Sequence, residues 1–169
     1  MRIAQIAPPW IAIPPKNYGG TESVIYNLVE EQVAQGHDVT LFAPGDTKTS
    51  AKLVSFFPKP LLQEGVPWTM HLKAFYHLQK ALEVVKAQNF DIVHTHLSSS
   101  ADLYLFPLTA NLGTPHVTTL HSRFPSIMGR AAGWAMLTTI IWIGHPRYRS
   151  SPLASLHVLK RRSRSTLWA

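Results

Sequence analysis

The chain contains no cysteine. That excludes a disulfide framework, thiolate metal sites and a cysteine nucleophile. Charge is scarce too: 15% of the residues are Asp, Glu, Lys or Arg, against roughly 25% in ordinary globular chains. Hydrophobic residues make up 46%, so low charge does not signal disorder. No apolar run reaches the roughly 18 residues of a membrane-spanning helix. The opening stretch Met1–Ala7 is stopped by Pro8-Pro9, too soon for the apolar core of a signal peptide. A cytoplasmic protein is the expectation.

One absence is local. Residues 1–102 hold eight Lys/Arg and nine Asp/Glu, a net −1, whereas residues 103–169 hold eight Lys/Arg and no acid, a net +8. Asp102 is the last carboxylate. The overall +7 therefore belongs to the tail, and a nucleic-acid partner is disfavoured for the body of the chain. With 169 residues there is room for one domain with a full core.

What is present alternates between strand and helix patterns. Arg2–Ala7 reads as a short buried strand. A proline-bearing loop follows to Gly20, with Pro8, Pro9, Pro14 and Pro15 excluding helix. Thr21 is placed to cap a helix whose stripe is Val24, Ile25, Leu28, Val29 and Val33, and Gly36 is placed to end it. Asp38–Ala43 is a second strand, and Leu53–Phe57 a weak third. A long helix is expected from Pro67, with Phe75, Leu78, Leu82 and Val85 on its inner face. Then come a strand at Asp91–His96, a helix over Ser98–Asn111 kinked at Pro107, and a strand at His116–Leu120. This order predicts an α/β fold, a Rossmann-like doubly wound parallel sheet. Beyond Phe124 no element can be assigned. Ala131–Ile143 is an uncharged, mostly apolar run, and an Arg/Ser-rich end follows it. The chain therefore divides into a domain over 1–124 and an atypical basic and apolar tail over 125–169. The tail is expected to pack poorly, and to add no regular parallel strands.

Ligands of such sheets bind beyond the carboxyl ends of the strands. Three segments arrive there. Gly19-Gly20 precedes a helix start, where free N–H groups and a partial positive charge suit phosphate, although a plain turn explains the pair equally. His94 and His96 lie two apart on a strand and so share a face. Substrate binding and a structural role are both open for them. A metal needs a third ligand, and only Asp91 and Asp102 are near in sequence. His121 follows an apolar strand, where it can meet a substrate hydroxyl or cap the strand end. Glu22 and Glu30 sit about 80° apart around one helix. Glu30 reads as surface, and Glu22 as a first-turn carboxylate favoured by the helix dipole.

Taken in order, these segments resemble the amino-terminal domain of a family 4 (group 1) glycosyltransferase of two-domain GT-B architecture. The resemblance is carried by Tyr18-Gly19-Gly20-Thr21-Glu22 after the first strand, by Gln35-Gly36-His37-Asp38-Val39-Thr40, by Asp91-Ile92-Val93-His94-Thr95-His96, and by Pro115 to His121. It implies sugar transfer from a nucleotide-sugar, the donor substrate, to a sugar or lipid acceptor with retention of configuration, with no metal and no other cofactor. By the same resemblance His121 sits at the reaction centre. Gly19 and Gly20 approach the diphosphate or the acceptor, and His94 and His96 build the acceptor side.

The family's donor-binding half is a second α/β domain, which is missing here. The isolated chain is therefore expected to be inactive. Its tail reads as an out-of-frame translation, a truncated product, or a basic apolar segment in peripheral contact with membrane lipid. An apolar surface left uncovered by the missing domain would promote self-association. Two other readings stay open: a non-catalytic nucleotide- or anion-binding module on the same fold, and a basic membrane-surface or nucleic-acid-binding protein driven by the tail.

Overall fold

Buried parallel strands read as short apolar runs, and the chain uses five of them. A computed structural model describes residues 1–99, Asp102, Tyr104, Leu108, Thr109, 112–121 and the strand Thr139–Ile143. Its elements are β1 (Arg2–Ile6), α1 (Gly20–Ala34), β2 (Asp38–Phe42), β3 (Lys52–Val54), α2 (His71–Ala87), β4 (Ile92–Leu97), β5 (His116–Leu120) and β6 (Thr139–Ile143). They form one sheet in the order β3-β2-β1-β4-β5-β6. The first five strands are parallel and β6 runs antiparallel to β5. This is the expected Rossmann-like α/β arrangement, with one strand more than expected.

Alternation along the strands sorts the core into two layers. On one face Ala4, Ile6, Phe42, Val93, Leu97 and Leu120 pack against Leu78, Ala81, Leu82 and Val85 of α2. On the other, Ile3, Ala7, Val39, Leu41 and Ala43 pack against Ile25 and Val29 of α1. A third, smaller cluster joins Trp10, Leu61 and Ala74. It pins the long loop after β1, which is further tied by Leu61 N–H to the Pro9 carbonyl at 3.0 Å and by Lys48 N–H to the Ile13 carbonyl at 2.8 Å.

Several boundaries differ from expectation. Helix α1 begins at Gly20, with Gly19 as its N-cap and no side-chain cap bond. Thr21 already lies inside the first turn, so it does not cap. The other end is as expected: Gly36 has φ +83°, and Gly36 N–H and His37 N–H reach the carbonyls of Val33 and Gln32 at 2.9 and 3.1 Å. That is a Schellman closure. Helix α2 starts at His71, because Pro67–Met70 forms a separate turn closed by Met70 N–H to the Pro67 carbonyl at 2.9 Å. β3 stops at Val54 because Ser55 Oγ bonds to the Phe57 carbonyl at 2.6 Å and accepts from Phe57 N–H at 3.3 Å, which curls the chain out of the ladder. The helix over Ser98–Asn111, with its kink at Pro107, lies largely outside the described residues.

The tail holds the main surprise. No element was assignable after Phe124, yet Thr139–Ile143 pairs with the whole of β5, from Leu120↔Thr139 to His116↔Ile143. Its uncharged sequence suits a place beside β5, which would otherwise be an unpaired edge. Residues 144–169, with the basic segment expected at a membrane, lie outside the described residues. Among the described residues no helix is long and apolar enough to cross a membrane.

Candidate active site

The strand order reverses between β1 and β4, whose onward connections leave in opposite directions. The crevice at their carboxyl ends is the switch point where open α/β sheets bind ligands. Two groups of side chains gather at this edge.

The first lies on the α1 face of β1, β4 and β5. His94 and His96 share that face, and their ring centroids are 4.1 Å apart. His121 stacks on His96 at 5.2 Å. His96 Nδ1 and His121 Nε2 are 2.9 Å apart. His96 Nε2 donates to Gln5 Oε1 at 2.9 Å, and Gln5 Nε2 donates to Gln32 Oε1 of α1 at 2.8 Å. His94 Nε2 is bonded to Thr119 Oγ1 at 2.8 Å. Burial pushes all three histidines below the ordinary value. His94 is pushed down to about 4, by desolvation first and then by His121. His96 is lowered well below, by desolvation and then by His94 and His121. His121 is lowered by desolvation alone. The cluster is therefore neutral at pH 7. It offers hydrogen-bond donors and lone pairs, not positive charge. Both nitrogens of His96 already have protein partners, so the ring has no lone pair to give a metal without breaking a bond. Among the described residues no three His, Cys, Asp or Glu groups are placed to hold a metal ion.

The second group surrounds the start of α1. Gly19 has no room for a side chain: a Cβ there would stand 2.7 Å from Pro15 Cβ and 2.9 Å from Glu22 Oε2. At Gly20 a Cβ would meet nothing within 4 Å. The two glycines thus do different jobs. Gly19 lets the loop fold on itself, and the space beside Gly20 at the start of α1 is open.

Glu22 is only 2% exposed. Its carboxyl is raised by burial, eased by its own backbone N–H, and raised again by Asp102. Asp102 is fully buried. Its Oδ2 accepts the N–H groups of Ser98 and Ser99 at 2.9 and 2.8 Å, and the hydroxyls of both serines at 3.3 and 3.1 Å. Burial still outweighs these bonds, and the Trp10 indole, in raising its pKa. Two buried carboxyl groups with raised pKa therefore lie between α1 and the exit of β4, and Asp102 adds to the rise at Glu22.

Of the five expected site residues, Gly19, Gly20, His96 and His121 lie at or next to the carboxyl edge, whereas His94 lies in the middle of β4, one same-face position below His96. His96 and His121 are directly bonded. Three participants were missed. Gln5 carries the one readable signal, a polar residue inside a buried strand. Glu22 read only as a dipole partner, and its burial depends on Asp102 being brought across from β4. Asp102 itself stood out only as the last acid.

A family model described as Glycosyltransferase Family 4 matches residues 18–163. The match starts at the glycine loop, takes in both site groups apart from β1, and runs through β6. A search of curated proteins finds no match. The matched segment covers most of the 169 residues, and its glycine loop and histidine strands are the ones that form the crevice: the chain belongs to glycosyltransferase family 4.

Proposed function

We propose that this chain is the amino-terminal half of a GT-B transferase, moving a sugar from a nucleotide-sugar to a sugar or lipid acceptor with retention and without a metal. One observation supports this most. The open N-terminus at Gly20 shares a sheet edge with the bonded pair His96 and His121, 2.9 Å apart. Charge builds on the diphosphate as the glycosidic bond breaks. The free N–H groups at the start of α1 are donors fixed in advance for it. His121, neutral and half-buried, contacts the transferred sugar by hydrogen bonding. His94 and His96 form the acceptor wall. A second domain closes over the donor and supplies the remaining contacts.

Backbone amide shifts during titration with UDP-, GDP- and ADP-sugars, and with acceptor sugars, test the reading. Gly20, His96 and His121 should move, and His121→Ala should weaken the response. Movements confined to the opposite sheet edge would overturn the site. Turnover assays on the chain alone should give background rates with or without EDTA. Robust turnover would overturn the half-enzyme reading.

A further inference from the structure

Each histidine ring carries one N–H when neutral, and which nitrogen holds it depends on what the other meets. Here the choice passes from residue to residue. Gln32 presents its Oε1, and Gln5 turns its NH2 towards it at 2.8 Å. Gln5 then presents Oε1 to His96 Nε2 at 2.9 Å. That oxygen can only accept, so His96 must carry its proton on Nε2. Its Nδ1 is left with a lone pair, 2.9 Å from His121 Nε2. His121 must therefore donate from Nε2, which leaves Nδ1 as its basic nitrogen. Gln5 and His96 are 0% and 2% exposed, so water cannot readily substitute for either. The ring of His94, 4.1 Å from that of His96, keeps it from turning.

We propose that Gln5 is a positioning residue: acting through His96, it sets His121 in the Nε2–H tautomer, so that His121 meets its ligand with a lone pair on Nδ1. The reversed chain would present an N–H at the same place. One amide on β1 thus decides whether the crevice accepts or donates a hydrogen bond at His121. Such a group accepts the proton of a sugar hydroxyl. It does not serve a bare anion, which needs donors. The benefit for sugar binding rests on the function proposed above, but the tautomer does not.

Two-bond 15N–1H correlation spectra of the full chain at pH 7.5, without ligand, read ring tautomers directly. His96 and His121 should each show a single Nε2–H pattern. Gln5→Glu has nearly the same shape and can only accept, so Gln32 should turn its NH2 towards it and the Nε2–H pattern should stay. Gln5→Leu should lose it, the two tautomers of His121 becoming comparable in population. Gln32 is only partly buried, so Gln32→Met should disturb the core less than Gln5→Leu. It should loosen the preference in the same direction, which covers the case in which Gln5→Leu fails to fold. An Nδ1–H form of His121 in the unaltered chain, or a single Nε2–H form in both Gln5→Leu and Gln32→Met, would overturn the proposal. Either result would leave ligand titration free to support or refute the transferase reading separately.

Discussion

One face of the sheet is built in two different ways. Under α1, β1 and β2 present Ile3, Val39, Leu41 and Ala43. One and two strands across, on the same face, β4 and β5 present His94, His96 and Thr119, with His121 at the strand end. The first half is held by burial that has no direction. The second is held by directed bonds at 2.8 and 2.9 Å, each needing a donor set against an acceptor. A buried polar network is costly when half satisfied. The network is fully paired at His96, and the apolar half secures the fold without any such requirement. Gln5 joins the two, since it lies on β1 and bonds to both α1 and β4.

Breaking the apolar half should have the largest effect. Leu41 is fully buried, and Leu41→Ala removes methyl groups from a packed layer and leaves a cavity. A loss of about 2–5 kcal/mol is expected by urea unfolding. Histidine tautomers in the folded fraction should not change, because the polar half holds itself. A change there would show that the two halves are not separable.

Acid should break the polar half selectively. His94 is pushed down to about 4, and so is fully buried His77, whose Nε2 donates to the Ala7 carbonyl at 2.9 Å. Unfolded histidines bind a proton near pH 6.5, so between about 6.5 and 4 the unfolded chain holds more protons than the folded one. Stability is then present in full above about pH 6.5 and is lost as pH falls through about 4. For His77 the loss from pH 7 to 5 is about 2 kcal/mol. His94, less completely buried than His77, contributes less. Glu22 and Asp102 act in the opposite sense, since their raised values favour the folded state in acid. Urea midpoints at pH 7 and 5 measure the sum. His77→Gln should flatten the slope, whereas Leu41→Ala should shift the curve without changing its slope. An unchanged slope in His77→Gln would count against the buried neutral ring.

The same division explains what the sequence disclosed. The apolar half has a period: Ile25 and Val29 repeat as a helix does and are buried, although Val24 of the expected stripe is 49% exposed, and β1 and β2 are short buried runs. Hence the order of the elements up to β5 was readable. β6 was not, because Thr139–Ile143 has neither alternation nor a turn signal before it, and an apolar run alone does not separate strand from helix. In the polar half the histidines were readable from their places at strand ends. Their partners were not. Thr119 and Gln5 matter only because β4 lies between β1 and β5, an adjacency set by the sheet order. Glu22 reads locally only as a first-turn carboxylate favoured by the helix dipole, and its burial depends on the loop before α1 and the exit of β4.

The smallest effects sharpen the comparison most, at two neighbouring glycines. Gly19 belongs to the packed loop. Gly19→Ala puts a methyl 2.7 Å from Pro15 Cβ and against the Glu22 carboxylate, and proline has no flexible end to move aside. A loss of about 1–3 kcal/mol is expected, as for other overpacked sites. Gly20 belongs to the proposed site, and an added Cβ there meets nothing within 4 Å. Alanine there removes backbone freedom from the unfolded chain, so Gly20→Ala should leave stability unchanged or raise it by up to about 1 kcal/mol. Its larger consequence should fall on binding, because a methyl now stands over the N–H groups at the start of α1. Thermal unfolding and phosphate-ester titration of both variants separate the two roles. Gly19→Ala should lower the melting temperature, and its affinity should be little changed once folded protein is counted. Gly20→Ala should do the reverse. If both variants lose stability alike and bind alike, the crevice is not at Gly20, and the glycine pair is a turn and nothing more.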